Sequence, residues 1–266
     1  MTAVYLWNRW KHLLRFDPIR LTPEKLMVFA RAFTAKGSPL PFVAALIDGT
    51  LQKNARPVKN QHLLYNGWKR IHCLKYHILL SPDGLVIHVY GPVDGRRHDE
   101  TGFKESGLQD LLDKHFWTPE REPLFIYGDS GYTVGPHIIA PYKGPALSQE
   151  QQHFNTQMSR ICEPVEWLFK EVTQKFTYLD FARTQKVLLS PCGVYYLVSL
   201  LLCNAHTILN YPQIPQYFLC RPPTLQEYFR GGPIGDSELD AWCLQSLWDE
   251  GLDEDSEDPD AMEDVE

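Results

Sequence analysis

The sequence predicts an α/β domain, a mixed sheet flanked by helices, and three observations carry that prediction. Apolar, β-rich stretches and helix-like stretches follow one another in the order strand, hairpin, helix, strand. From Ser148 onward the pattern becomes helical. Two of the strand-like stretches run into an aspartate, "AALIDGT" at Asp48 and "LFIYGDSGY" at Asp129.

Taken in order, residues 1–40 read as a helical segment packed on the body of the domain. "WNRWKHLLRF" is amphipathic, and "LTPEKLMVFARAFTAKG" offers Thr22 as a cap, Pro23 at the first helical position and Gly37 as a stop. Residues 42–48 read as a strand ending at Asp48. "IHCLKYHILLSPDGLVIHVYG" reads as a hairpin, two β-rich arms joined by Pro82, Asp83 and Gly84. A charged loop, "PVDGRRHDE", leads into "GFKESGLQDLLDKHF", which has the period of one short amphipathic helix. "PLFIYGDSGY" is a strand ending at Asp129, and "PHIIAPY" a short apolar segment. The next helix starts at Ser148, with Glu150 one residue short of a capping box, and Pro164 should kink or interrupt it near Ile161. "VYYLVSLLLCNAHTILN" has a wide apolar face and is expected to be buried, and "PTLQEYF" reads as a last short helix.

The 266 residues, 44% of them apolar, suffice for one large domain or two small ones. No run of 18 apolar residues occurs, so no membrane-spanning helix and no membrane role is expected. The start, "MTAVYLWNRWKHLL", is broken by Asn8, Arg9, Lys11 and His12, unlike a signal peptide. The six cysteines form no C-x-x-C pair and read as reduced thiols of an intracellular protein. The net charge of −7 conceals an asymmetry: Asp236–Glu266 holds 14 acidic residues and no Lys or Arg, while the rest holds 26 basic and 19 acidic residues. A mildly basic body, compatible with a polyanionic partner or with an ordinary surface, thus carries an acidic tail. The organisation expected is a helical segment at 1–40, a body at 41–235 and a tail at 236–266, largely disordered because it has little to bury.

Carboxylates on separate elements are the pattern that hard divalent cations need, and two such ions roughly 3.5–4 Å apart can assist phosphodiester cleavage. Asp48 and Asp129 stand where apolar strands leave the core, and Glu166 lies among apolar helix residues after Pro164. The plain alternative is that both aspartates are turn residues and Glu166 is solvated. "GRRHD" places Arg96, Arg97 and His98 where phosphates could be touched, with Asp99 either beside the carboxylates or capping a helix. Upstream, "QKNARPVKNQHLLYNGWKRIHCLK" interleaves Lys53, Arg56, Lys59, Lys69, Arg70 and Lys75 with Tyr65 and Trp68, a mixture suited to a nucleic-acid groove or to any basic loop with two half-buried rings. The histidines lack zinc-site spacing. Ser130 follows a strand but lacks the G-x-S-x-G elbow of a hydrolase.

Six stretches occur in a specific order: "IDGT" (47–50), "LYNGWKRIHCLK" (64–75), "GPVDGRRHD" (91–99), "YGDSGY" (127–132), "FNTQMSRICEPVEWLF" (154–169) and "PPTLQEYF" (222–229). Together they resemble the DDE superfamily endonucleases of the Harbinger (PIF-like) transposase group, closest to the fungal form. The resemblance implies an RNase H-like fold and a site in which Asp48, Asp129 and Glu166 bind two Mg²⁺ ions, with Mn²⁺ as a substitute and Asp99 in support. It implies metal-assisted cleavage of DNA, with Lys69, Arg70, Arg96, Arg97 and His98 as candidate backbone contacts, and a nuclear, otherwise cytoplasmic, location. It further implies a Myb-like or helix-turn-helix partner, because only about 40 residues precede the nuclease body, and it is compatible with a homo-oligomer. Two departures stand out. Trp68 occupies a position where the family commonly has histidine. Glu163 stands three residues before Glu166, near enough on an unbroken helix to compete for metal unless Pro164 turns it away. The alternative function is a catalytically inactive, domesticated or truncated relic that binds DNA or protein.

Overall fold

A computed structural model describes residues 2–187 and 189–230, with the side chain of Asp99 left aside. The expected acidic tail, its disorder and Cys243 lie outside the described residues. The helical lead-in consists of α1 (Thr2–Trp10), a 3₁₀ turn (Lys11–Leu14) and α2 (Pro23–Ala35). Thr22 caps α2 by accepting from the Lys25 N–H at 3.4 Å, and Gly37 leaves it at a left-handed φ of 94°. Helix α2 packs on β1 (Val43–Lys53), burying Leu26, Phe29 and Phe33.

Then come α3 (Gln61–Leu64), β2 (Tyr65–Asn66), β3 (Ile71–Leu80), β4 (Val86–Asp94), α4 (Asp99–Glu105), α5 (Leu108–His115), β5 (Phe125–Gly128) and β6 (Ile138–Ile139). The predicted hairpin is β3–β4, paired antiparallel from Leu74↔Asp94 to Leu80↔Val86. The single helix expected after the charged loop is two, because Gly107 takes a left-handed φ of 63° between α4 and α5. Among the described residues the strands form one sheet. β1 lies between β3, antiparallel to it, and β5, parallel to it; β6 continues beyond β5, and β4 and β2 both pair with the far side of β3. This mixed sheet with helices packed on it is the architecture of an RNase H-like fold.

Two long helices complete the domain, α6 (Gln149–Lys175) and α7 (Cys192–Asn210), with a 3₁₀ turn (Thr177–Asp180) between them and the short α8 (Gln213–Phe218) and α9 (Leu225–Tyr228) after them. The cap of α6 is a complete capping box: Ser148 Oγ accepts from the Gln151 N–H, and Gln151 Oε1 accepts from the Ser148 N–H. Pro164 does not interrupt this helix. It is buried beside the stripe Met158, Ile161, Val165, Leu168 and Val172, whose packing outweighs the one backbone hydrogen bond that proline removes. Helix α7 is long and apolar enough to cross a membrane by length and composition, yet most of it is buried inside the domain. Asn204 ties it to its neighbours, accepting from the Val86 N–H and donating to the Val86 carbonyl and the Tyr228 hydroxyl. Cys73, Cys162, Cys192, Cys203 and Cys220 are free thiols.

Candidate functional site

Asp48 is not at a strand end. β1 runs five residues further, because Gly49–Lys53 remain paired with His77–Cys73 of β3. What ends near Asp48 is the other neighbour: the parallel ladder to β5 closes at Ile47↔Gly128. Asp48 therefore lies mid-strand at the point where one edge of β1 loses its partner. Asp129 is the first residue beyond β5, as the sequence predicts, so the two aspartates are adjacent across strands about 4.8 Å apart. Asp48 Oδ1 accepts from the Gly49 N–H at 2.7 Å, and Asp129 Oδ1 accepts from the Gly131 N–H at 2.8 Å.

The third element is α6, which packs on β1 and β5. Cys162 and Glu166 are four residues apart and share one side of this helix, about 40° from each other around its axis. Burial, then the negative charges of Asp48, Asp129 and Glu166, push the Cys162 thiol well above its ordinary range. All three carboxylates thus lie near enough to act on this one thiol. Glu163, although next to Cys162, is not among the charges acting on it. It is exposed about 60° further round the helix than Glu166, opposite the buried stripe. Because α6 is unbroken at Pro164, Glu163 and Glu166 remain neighbours three residues apart, as the sequence leads one to expect.

The convergence stops short of a preformed ion cage. Among the described residues no group of three or more His, Cys, Asp or Glu is gathered closely enough to hold a metal ion. The donor set nevertheless suits a hard cation. It consists of oxygen donors from three elements at a solvent-facing edge, and neither Asp129 nor Glu166 forms an ion pair among the described residues.

Two residues hold the loop after β5 in place: Tyr132, the last residue of "YGDSGY", and His77, which carries no sequence signal of its own. The Tyr132 hydroxyl and His77 Nδ1 are 2.9 Å apart and buried, and His77 lies opposite Gly49, the neighbour of Asp48. The Tyr132 N–H donates to the Asp129 carbonyl at 3.3 Å. Its ring covers Gly128 so closely that a Cβ there would come within 2.6 Å of it, which explains glycine before Asp129. The spacing of "YGDSGY" is thus a packing motif as well as a chemical one. Ser130 has no hydrogen bond to a histidine among the described residues: His77 meets Tyr132, and His137 meets the Leu124 carbonyl.

The basic residues divide. Lys69 and Arg70 are exposed in the turn between β2 and β3, and Arg96 and His98 are exposed on the way into α4. Arg97 is half-buried and paired with Glu105. Lys75 is buried and donates to the Arg97 carbonyl at 3.0 Å, so it serves structure and not a phosphate. His98, not Asp99, is the N-cap of α4; Asp99 is the first helical residue.

A sequence profile described as DDE superfamily endonuclease matches residues 47–204, which include Asp48, Asp129 and Glu166. The chain is 24% identical over 168 residues to Protein ALP1-like of Arabidopsis thaliana, covering 59% of this chain and 41% of that protein. It is 26% identical over 156 residues to a probable transposase for insertion sequence element IS702 of Microchaete diplosiphon, covering 54% and 53% respectively. The chain therefore spans about half the length, or less, of these curated relatives. No solved structure matches it. With the profile matched over more than half of its length, this chain belongs to the DDE superfamily endonucleases.

Proposed function

We propose that the chain cleaves DNA phosphodiester bonds at Asp48, Asp129 and Glu166. The observation that carries this reading is the placement of the three carboxylates on adjoining elements: Asp48 in β1, Asp129 just past the parallel neighbour β5, and Glu166 on α6, which packs on both strands, all near the Cys162 thiol. These three residues would hold two divalent cations, Mg²⁺ or Mn²⁺, which supply a more acidic water and charge stabilisation at the leaving oxygen. The protein's own part is to set the carboxylates on separate elements and to keep Asp129 in register with Asp48 through Tyr132 and His77. Lys69, Arg70, Arg96 and His98 would meet the DNA backbone, which orients a duplex without reading its sequence. Within the superfamily, the ordered motifs favour the Harbinger group, and with it a nuclear site of action and a Myb-like or helix-turn-helix partner for recognising DNA ends.

The test is nicking of supercoiled plasmid by the purified chain in Mg²⁺ or Mn²⁺, beside Asp48→Asn, Asp129→Asn and Glu166→Gln. Metal-dependent nicking lost in all three supports the reading. A second reading, a DNA-binding relic without cleavage, draws support from the absence of a gathered metal cluster among the described residues. DNA binding by a folded chain that never nicks, and that takes up no Mn²⁺ in calorimetry, would establish it.

A further inference from the structure

The turn between β2 and β3 carries an aromatic side chain that nothing in the domain covers. Trp68 is 88% exposed, more than any other aromatic among the described residues. Yet the backbone that presents it is firmly held. Asn66 Oδ1 accepts from the Lys69 N–H at 2.9 Å, and Asn66 Nδ2 donates to the Gly95 carbonyl at 2.7 Å. Gly95 is packed so tightly that a Cβ there would come within 2.5 Å of the Cys73 carbonyl and 2.6 Å of the Leu64 carbonyl. The same hydrogen bond joins the two basic segments. Lys69 and Arg70 follow Trp68, Arg96 follows Gly95, and all three are exposed. The result is an indole on a fixed turn, in one segment with exposed cations.

This turn is separate from the carboxylates. Ile78 of β3 pairs with Asp48, and the seven residues from there back to Ile71 extend about 23 Å. An indole among cations suits single-stranded nucleic acid, in which the bases offer π-faces whatever their identity and the phosphates lie alongside. A duplex would first have to unpair, so strands that are already open bind with less cost.

We propose that Trp68 is a stacking platform for single-stranded or locally unpaired DNA, with Lys69, Arg70 and Arg96 holding the flanking phosphates. This deepens the proposed function by naming a second contact on the same ligand, and it shares with that reading only the assumption that DNA is bound.

The experiment is fluorescence anisotropy with the full chain in EDTA, using a labelled 20-nucleotide single strand and the matching duplex over a range of NaCl. Trp68→Ala is expected to weaken single-strand binding on the order of tenfold, with an unchanged slope of log affinity against log salt. Trp68→Phe, which keeps a ring, is expected to stay within about threefold of the wild type. Lys69→Ala and Arg70→Ala should each lower the salt slope by about 0.7. Equal single-strand affinity of wild type and Trp68→Ala overturns the proposal. A wild-type chain that does not bind the single strand at low salt overturns it too. Because these titrations contain no metal, they are independent of nicking. Stacking without nicking leaves this proposal standing and removes the nuclease reading; nicking with an indifferent Trp68→Ala does the reverse.

Discussion

Removing one oxygen atom, in Tyr132→Phe, tests whether the sheet holds the loop that carries Asp129. Tyr132 and His77 are 1% and 3% exposed, and their polar atoms are 2.9 Å apart. The ring stays in the variant, so its packing on Gly128 persists while the contact to His77 Nδ1 is lost. Depriving a buried polar atom of its partner costs about 1–3 kcal/mol, so the urea midpoint should fall by that equivalent at constant m. The Tyr132 N–H also donates to the Asp129 carbonyl, so relaxation of the loop moves the second carboxylate. A displacement of about 1 Å near the reacting atoms lowers turnover by as much as ~100-fold. We therefore expect the nicking rate at saturating DNA to drop ten- to a hundredfold or so, with the half-saturating DNA concentration unchanged. An unaltered urea midpoint would refute the stabilising role of the hydrogen bond. A destabilised variant that nicks at the wild-type rate would refute its link to Asp129.

Three further outcomes are expected. Glu166→Gln should abolish Mg²⁺-dependent nicking, whereas Glu163→Gln, about 60° round α6 from Glu166, should leave the rate within about threefold; equal losses would contradict the assignment. His88 is buried, and burial, then Arg15, hold its pKa down to about 3. The unfolded chain takes up that proton below about pH 6.5, so the stability due to neutral His88 is complete above 6.5 and lost as pH falls toward 3. Between pH 7.5 and 5.0 the loss is about 2 kcal/mol, and paired urea titrations of His88→Leu should lack it. Asp83 acts with the opposite sign: burial raises its pKa, against Arg20 and its hydrogen bond from Ser81. The folded state keeps that proton above the unfolded value, so stability falls as pH rises through the interval between the two. Asp83→Asn retains the acceptor for Ser81 and should flatten that decline in the same titrations.

Local chemistry was legible where it decides structure on its own. Pro82–Gly84 marks the hairpin, and Thr22 and Gly37 delimit α2, because turns and caps are set by nearest neighbours. Asp48 was misplaced for the complementary reason. "DGT" reads as a turn, and only the pairing of Gly49–Lys53 with β3, twenty or more residues away in sequence, keeps the chain extended. Pro164 argues for a break that its burial overrides. In the site, Asp129 followed from the strand pattern, whereas Glu166 was identified by the family resemblance and placed by the packing of α6. No sequence signal singled out Cys162 as a thiol on which all three carboxylates act; its position four residues before Glu166 acquires meaning once that helix face is known. His77 was equally silent, since its partner is 55 residues away.

The three carboxylates stand on supports of unequal stiffness. Asp48 is set into a central strand laddered to β3 from Leu46 to Lys53 and to β5 up to the preceding residue, so its amide is expected to be among the slowest to exchange hydrogen. Asp129 rides on a loop and Glu166 on the exposed side of a helix, both of which can shift without breaking the sheet. If the three hold ions as proposed, the adjustment would fall to Asp129 and Glu166, with Asp48 as the reference point. Ion binding should accordingly slow exchange in the Gly128–Tyr132 loop and leave that of β1 as it was.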